Sequence, residues 1–178
     1  MPISARASRL TLGKCARMVI ATFISLGLTS GATMAQDLPM EKTLPLALAV
    51  EAVQAALAAC EQQGYRVSVA VVDRAGLVRV LIRGDGAGPH TLDSSSRKAY
   101  TASSLRLSTM ELAGMVSQSP AIAGLREMNE QILILGGGLP IKAGDEVIGG
   151  IGVGGAPGGE KDEACAQAGI DTIKVRLK

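Results

Sequence analysis

Few side chains in this sequence combine in a pattern that does chemistry, and most of those that do lie in "GAGPHTLDSSSRKAYTA", residues 86–102. It holds the single histidine of the chain, His90, directly after a Gly-Pro turn. If a helix starts at about Thr91, Ser94, Arg97, Lys98 and Thr101 share a face by their three and four spacing. Helix N-terminal N–H groups and paired cations both favour an anionic ligand. A neutral imidazole at such a helix start is a donor for a metal centre such as haem iron, although a lone loop histidine is ordinarily just solvated. The glycine run Gly136, Gly137 and Gly138 in "LGGGLPI" offers main-chain N–H groups as an anion nest, or simply a sharp strand-to-strand turn. Glu160 and Glu163, with Asp162 between them, complement the dipole of a helix that starts there. The same acids are a weak candidate site for a hard cation such as iron.

Other motifs carry less. "GIGVGG" matches G-x-G-x-x-G through Gly150, Gly152 and Gly155. The dinucleotide fingerprint also needs a βαβ unit with an acid at the end of the next strand. Asp171 has the spacing but falls in a closing helix, so bending of a strand and close approach of a helix or a neighbouring subunit account better for these glycines. Ser94 to Ser96 lie near His90, yet there is no nucleophile elbow and nothing selects a carboxylate pair. Whether the protein turns over a substrate stays open at this level.

The elements that must position these residues follow from periodicity. Leu46, Val50, Val53 and Leu57 recur at helical spacing after Thr43 and Pro45, and Gly64 supplies a stop. Val67, Val69 and Val71 alternate with small residues, a turn follows at 73–76, and "LVRVLIR" returns as the second strand of a hairpin. Helices are expected from about Thr91 to Leu107 and over "TMELAGMVSQ", with a short helix or turn over 120–129. "QILI", "LPIK" and 146–153 then read as three strands, and "GEKDEACAQAGIDTIK" as the last helix. Strands joined by short turns imply an antiparallel sheet. The expected fold class is α/β (α+β): a three-layer α/β/α sandwich on about five antiparallel strands.

The whole chain has 18 Lys and Arg against 16 Asp and Glu over 178 residues. Residues 1–35 hold Arg6, Arg9, Lys14 and Arg17 and no acid, then an apolar run and a small-residue "TMAQ" junction. That is the pattern of a secretory signal peptide, so a periplasmic or secreted location is expected, with no membrane span after cleavage. Removing those four cations leaves 14 against 16. A near-neutral domain gives no nucleic-acid footprint. The remainder fits a short extension at 36–43 and one domain over 44–178. Cys15 leaves with the signal, and Cys60 and Cys165 remain, either bonded or as small buried thiols. After the leader the aromatic residues are Tyr65 and Tyr100 alone. A core without large rings gains from further burial by self-association, so a homo-oligomer is expected.

"GPHTLDSSSRKAYTA", "GGGLPIKAGDEVIGGIGVGG" and "DEACAQAG", taken in that order, resemble the GlcG/HbpS family of haem-binding and haem-degrading proteins. The resemblance runs from about Leu44 to Lys178; the triple serine at 94–96 departs from its usual pattern. It implies a profilin-like α/β/α fold and oligomers built from dimers. It also implies export and haem or iron binding for some members, in one case beside a sensor kinase. Others are associated with glycolate or diol utilisation. On this resemblance the chain is an exported haem-binding protein that assists haem breakdown or senses haem or iron. His90 is then the candidate iron ligand, with Arg97 or Lys98 facing the propionates. The other reading is an accessory protein of a catabolic pathway that binds a small hydroxy or keto acid without haem, through Arg97, Lys98 and the 136–138 turn.

Overall fold

The structure, a computed structural model, describes residues 36–178. The expected signal peptide lies outside the described residues. The alternation of Val67, Val69 and Val71 becomes β1 (Ser68–Asp73), and Gly76 closes the turn into β2 (Val78–Arg83) with φ of 80°. The remaining strands are β3 (Gly138–Ala143) and β4 (Glu146–Gly154). All pairs are antiparallel and the sheet order is β2-β1-β4-β3.

Four helices cover this sheet: α1 (Leu46–Glu61), α2 (His90–Leu105), α3 (Thr109–Gln118) and α4 (Gly159–Ile173). A 3-10 helix spans Pro120–Glu127, where a short helix or turn was expected. Helix α1 begins at Leu46, with Pro45 in the N-cap place and no side-chain cap, so Thr43 does not cap it. Pro39–Lys178 forms one compact unit.

The two faces of the sheet are built differently. Val69 and Val71 of β1, with Ile151 and Val153 of β4, turn toward α1 and α4 and form the main core with Ala52, Val53, Ala56 and Ala166. Cys60 and Cys165 join α1 to α4 by a disulfide in that layer, which resolves the alternative left open by the sequence. The opposite face carries Ala70 and Val72, packed on Ala99 of α2. Here Gly150 and Gly152 present bare backbone, and α2 sits directly on it. A Cβ at Gly152 would collide with the Ser95 carbonyl and lie 2.5 Å from the Ala99 nitrogen. "GIGVGG" is thus a seat for a helix: its strand alternates Ile151 and Val153 toward one layer with glycine toward the other. Both obstacles are main chain and cannot rotate away. Gly152→Ala is therefore expected to cost about 2–3 kcal/mol or more, as overpacking does, measured by denaturant unfolding.

The sheet has four strands where about five were expected, because "QILI" is not one of them. Residues 131–135 run as an irregular segment held by side chains of α2. The fold class stands, since the layers and the antiparallel pairing are as expected.

Candidate functional site

Three chain segments meet at one end of the sheet: the start of α2, the end of β4 with the turn after it, and the start of α4. Between them lies an open cavity of about 320 Å³, lined by His90, Ser94, Lys98, Leu135, Gly155, Gly158 and Asp162 among others. Neither α2 nor α4 has a side-chain cap at its N-terminus. The Thr91 and Leu92 amides bond the Gly88 and Pro89 carbonyls, and the Lys161 and Asp162 amides the Gly158 carbonyl, so the two helix starts act on the cavity through their dipoles and their very first amides. The expected Gly-Pro-His helix start is real: His90 is the first residue of α2 and is exposed.

The floor of the site is a buried ion pair. Lys98 is 2% exposed, and its Nζ donates to Asp162 Oδ2 at 2.7 Å and to the Val153 carbonyl at 2.9 Å. The other Asp162 oxygen accepts from the Ala156 amide at 2.9 Å. One lysine of α2 thereby ties together the end of β4, the 155–158 turn and the first turn of α4. Burial pushes the Asp162 carboxyl above its ordinary range, against the opposing pull of Lys98 and of the Ala156 and Gly155 amides. Gly137 makes room for the pair. With φ of 117°, it has no Cβ where one would stand 2.6 Å from Asp162 Cβ and 3.0 Å from Lys98 Nζ.

The structure divides the remaining residues expected at the site. Arg97 does not reach the cavity: its Nη2 donates to the Ile132 carbonyl at 2.8 Å, and Nη1 lies 3.5 Å from Asp93. Thr101 is fully buried, donates to the Arg97 carbonyl at 2.7 Å and accepts from the Leu133 amide at 2.8 Å. Gly136 packs against Gly159, and the Gly138 amide donates to Thr109 Oγ1 at 2.8 Å. Only Gly137 of the three touches the ion pair. The glycine run allows close packing of backbone, and one of its amides, Gly138, is taken up by Thr109.

The acids of the last helix also separate. Glu160 is exposed, Glu163 is half-buried, and both line a shallow depression with Met110, Leu139 and Gln167. Of the three, only Asp162 is a fully buried residue. Among the described residues no three His, Cys, Asp or Glu side chains gather as metal ligands. Asp162 was legible as the inward member, because it continues the buried stripe Cys165, Ala166, Gly169 and Ile173 at helical spacing.

Fold and site define a small α/β/α domain whose cavity lies between the first turns of two helices, floored by a buried lysine–aspartate pair. The chain belongs to the family described as haem degrading protein HbpS-like, whose family model matches residues 44–171. Among solved structures, a double mutant of Streptomyces reticuli HbpS is 44% identical. The match covers 80% of this chain and 94% of that one, with a TM-score of 0.73. A complex of PduOC with heme is 27% identical over 74% of this chain and 96% of that one, with a TM-score of 0.68. A Citrobacter freundii protein, described as an uncharacterized 15.0 kDa protein in the dhaT-dhaS intergenic region, is 37% identical over 130 residues. Those residues are 72% of this chain and 91% of the relative. Among the described residues no helix is long and apolar enough to cross a membrane.

Proposed function

We propose that the protein is an exported haem-binding protein, and that haem docks at the cavity between the starts of α2 and α4. The observation that carries this reading is the lining itself. It combines an exposed imidazole, His90, an apolar wall from Leu135, and two helix starts without side-chain caps. Those three features suit a haem: an axial donor, an apolar surface for the ring, and the positive ends of two helices for its propionates. The relative solved with heme supports the choice of ligand. At about 320 Å³ the cavity is at the low end for a cofactor site, so it holds the macrocycle by an edge. Bound haem supplies iron-centred redox and ligand-exchange chemistry; the protein supplies the imidazole, the fixed N–H dipoles and the apolar wall. Assistance to haem breakdown, or sensing of haem or iron, is an extension of the same role.

Export is supported by the Cys60–Cys165 bond, since structural disulfides belong to oxidising compartments. Assembly into a homo-oligomer is supported by β2, an edge strand that leaves Leu77, Val78 and Leu81 exposed on or beside it. The test of the central reading is a haemin titration of the protein against His90→Ala. Wild type is expected to shift the Soret band on binding, and the variant to lose that ligation signature with a roughly tenfold or larger drop in affinity. Absence of a Soret shift in the wild type removes the proposal; an unchanged band in the variant removes only His90 as ligand.

A second reading rests on the same two uncapped helix starts. A short hydroxy or keto acid fits the cavity whole and would place its carboxylate on those amides. A rise in melting temperature with such acids, but not with haemin, identifies this alternative.

A further inference from the structure

Between the 3-10 helix and β3 the chain has no regular structure, yet it is firmly held. Asn129 Oδ1 accepts from the amides of Gln131 at 2.8 Å and Ile132 at 3.1 Å. Ile132 is buried, its carbonyl accepts from Arg97, and the next amide, Leu133, donates to Thr101. Downstream, the Gly137 carbonyl accepts from the Val153 amide at 2.9 Å. Leu135 stands between these anchors and is 52% exposed, with its side chain on the cavity wall beside His90 and Lys98. A large apolar side chain held half in water on an otherwise pinned segment calls for an explanation.

We infer that Arg97 and Thr101 are positioning residues: they hold the 131–137 segment so that Leu135 forms the apolar wall against which a planar ligand rests. This inference rests on the haem reading above and specifies how the site recognises the ring as distinct from its carboxylates. One turn of α2 serves both ends of the ligand. Lys98 turns inward to fix the 155–158 turn, and Arg97 and Thr101 turn sideways to fix Leu135. The pins are hydrogen bonds to main-chain groups 32 to 35 residues away, so the wall moves if α2 or the segment shifts.

The test is a double-mutant cycle on haemin affinity, with hydrogen exchange of the protein alone as a second readout. Thr101→Val keeps the shape but removes the acceptor for Leu133. Arg97→Met, at a partly exposed position, removes the donor to Ile132 and provides a variant less exposed to folding failure. Each is expected to weaken haemin binding about five- to tenfold, as is Leu135→Ala, while leaving the Soret position unchanged. Combined with Leu135→Ala, either pin variant is expected to add little, because the wall it positions is already gone. Amides 133–137 should exchange faster in both pin variants without ligand. Additive losses overturn the positioning role, and a moved Soret band in Thr101→Val overturns it in favour of direct contact with the haem. Unchanged exchange refutes the pinning whatever haemin does. Accelerated exchange with no haemin binding by wild type shows instead that the haem reading has failed, and the wall's proposed ligand fails with it.

Discussion

Reduction of the Cys60–Cys165 bond is expected to lower the free energy of unfolding by about 3–5 kcal/mol and the melting temperature by roughly 10–15 °C. The bond spans 105 residues of sequence, so its loss frees most of the domain's unfolded chain. Loop-closure entropy over that length sets the upper end of the figure. Both cysteines are fully buried, so thiol reagents reach them only through opening of α1 from α4. The measurement is guanidinium unfolding with and without a phosphine reductant. Reduced wild type retains both sulfur atoms in the core and isolates the cross-link from the packing. The slope of the transition should steepen on reduction, because an uncrosslinked denatured chain exposes more surface. Coincident curves would show that the bond contributes nothing. Cys60→Ala with Cys165→Ala should fall slightly below the reduced protein, by the contacts the two sulfurs make.

How much of this was legible beforehand depends on the range of the interaction involved. Helix α1 and the β1–β2 hairpin follow from local spacing and from one glycine turn, and both were readable. The glycine strand was readable as one that bends or that a helix or a neighbouring subunit approaches closely, and Gly150 and Gly152 lie directly under α2. "QILI" was not readable. A short apolar run looks the same whether it enters a sheet or is held by distant side chains, and here Arg97 and Thr101 hold it.

The site residues show a related failure. Arg97 and Lys98 were grouped as one cationic stripe, but consecutive helix residues point about 100° apart. Lys98 lies on the buried stripe with Ser95, Ala99 and Ala102, and Arg97 does not. That stripe was available in the sequence and separates the two cations. What it could not supply was the partner, since Asp162 is 64 residues away on another helix. His90 was correctly placed at the helix start; the role of that start depends on α4 arriving beside it.

The ion pair leads to the second large effect. Lys98→Met is expected to lower stability by about 3–5 kcal/mol at neutral pH, with a deficit that shrinks as the solution is made acidic. The Asp162 carboxyl already titrates above its ordinary range because it is buried, and Lys98 opposes that shift. Removing Lys98 raises the carboxyl further. The native state then binds a proton over a wider span of pH than the unfolded chain does. Wherever the native state binds more protons, stability falls as pH rises, by about 1.4 kcal/mol per unit for one group. Wild type and variant therefore fall in parallel from the ordinary carboxylate pKa up to the wild type's own raised native pKa, because Asp162 is protonated in both native states over that span. Above it the variant alone keeps losing ground, until its still higher native pKa is passed. Asp162→Asn added to Lys98→Met abolishes this slope, since the amide cannot ionise yet can still accept from the Ala156 amide. Unfolding of the three proteins across pH 4–8 measures both claims; parallel profiles for wild type and Lys98→Met would show that the lysine does not act through Asp162. Because the pair also fixes the 155–158 turn at the cavity, haemin affinity should fall in the single variant along the same pH course. Loss of ligand and loss of stability would then share one titrating group, which joins the fold's main buried charge to the site it floors.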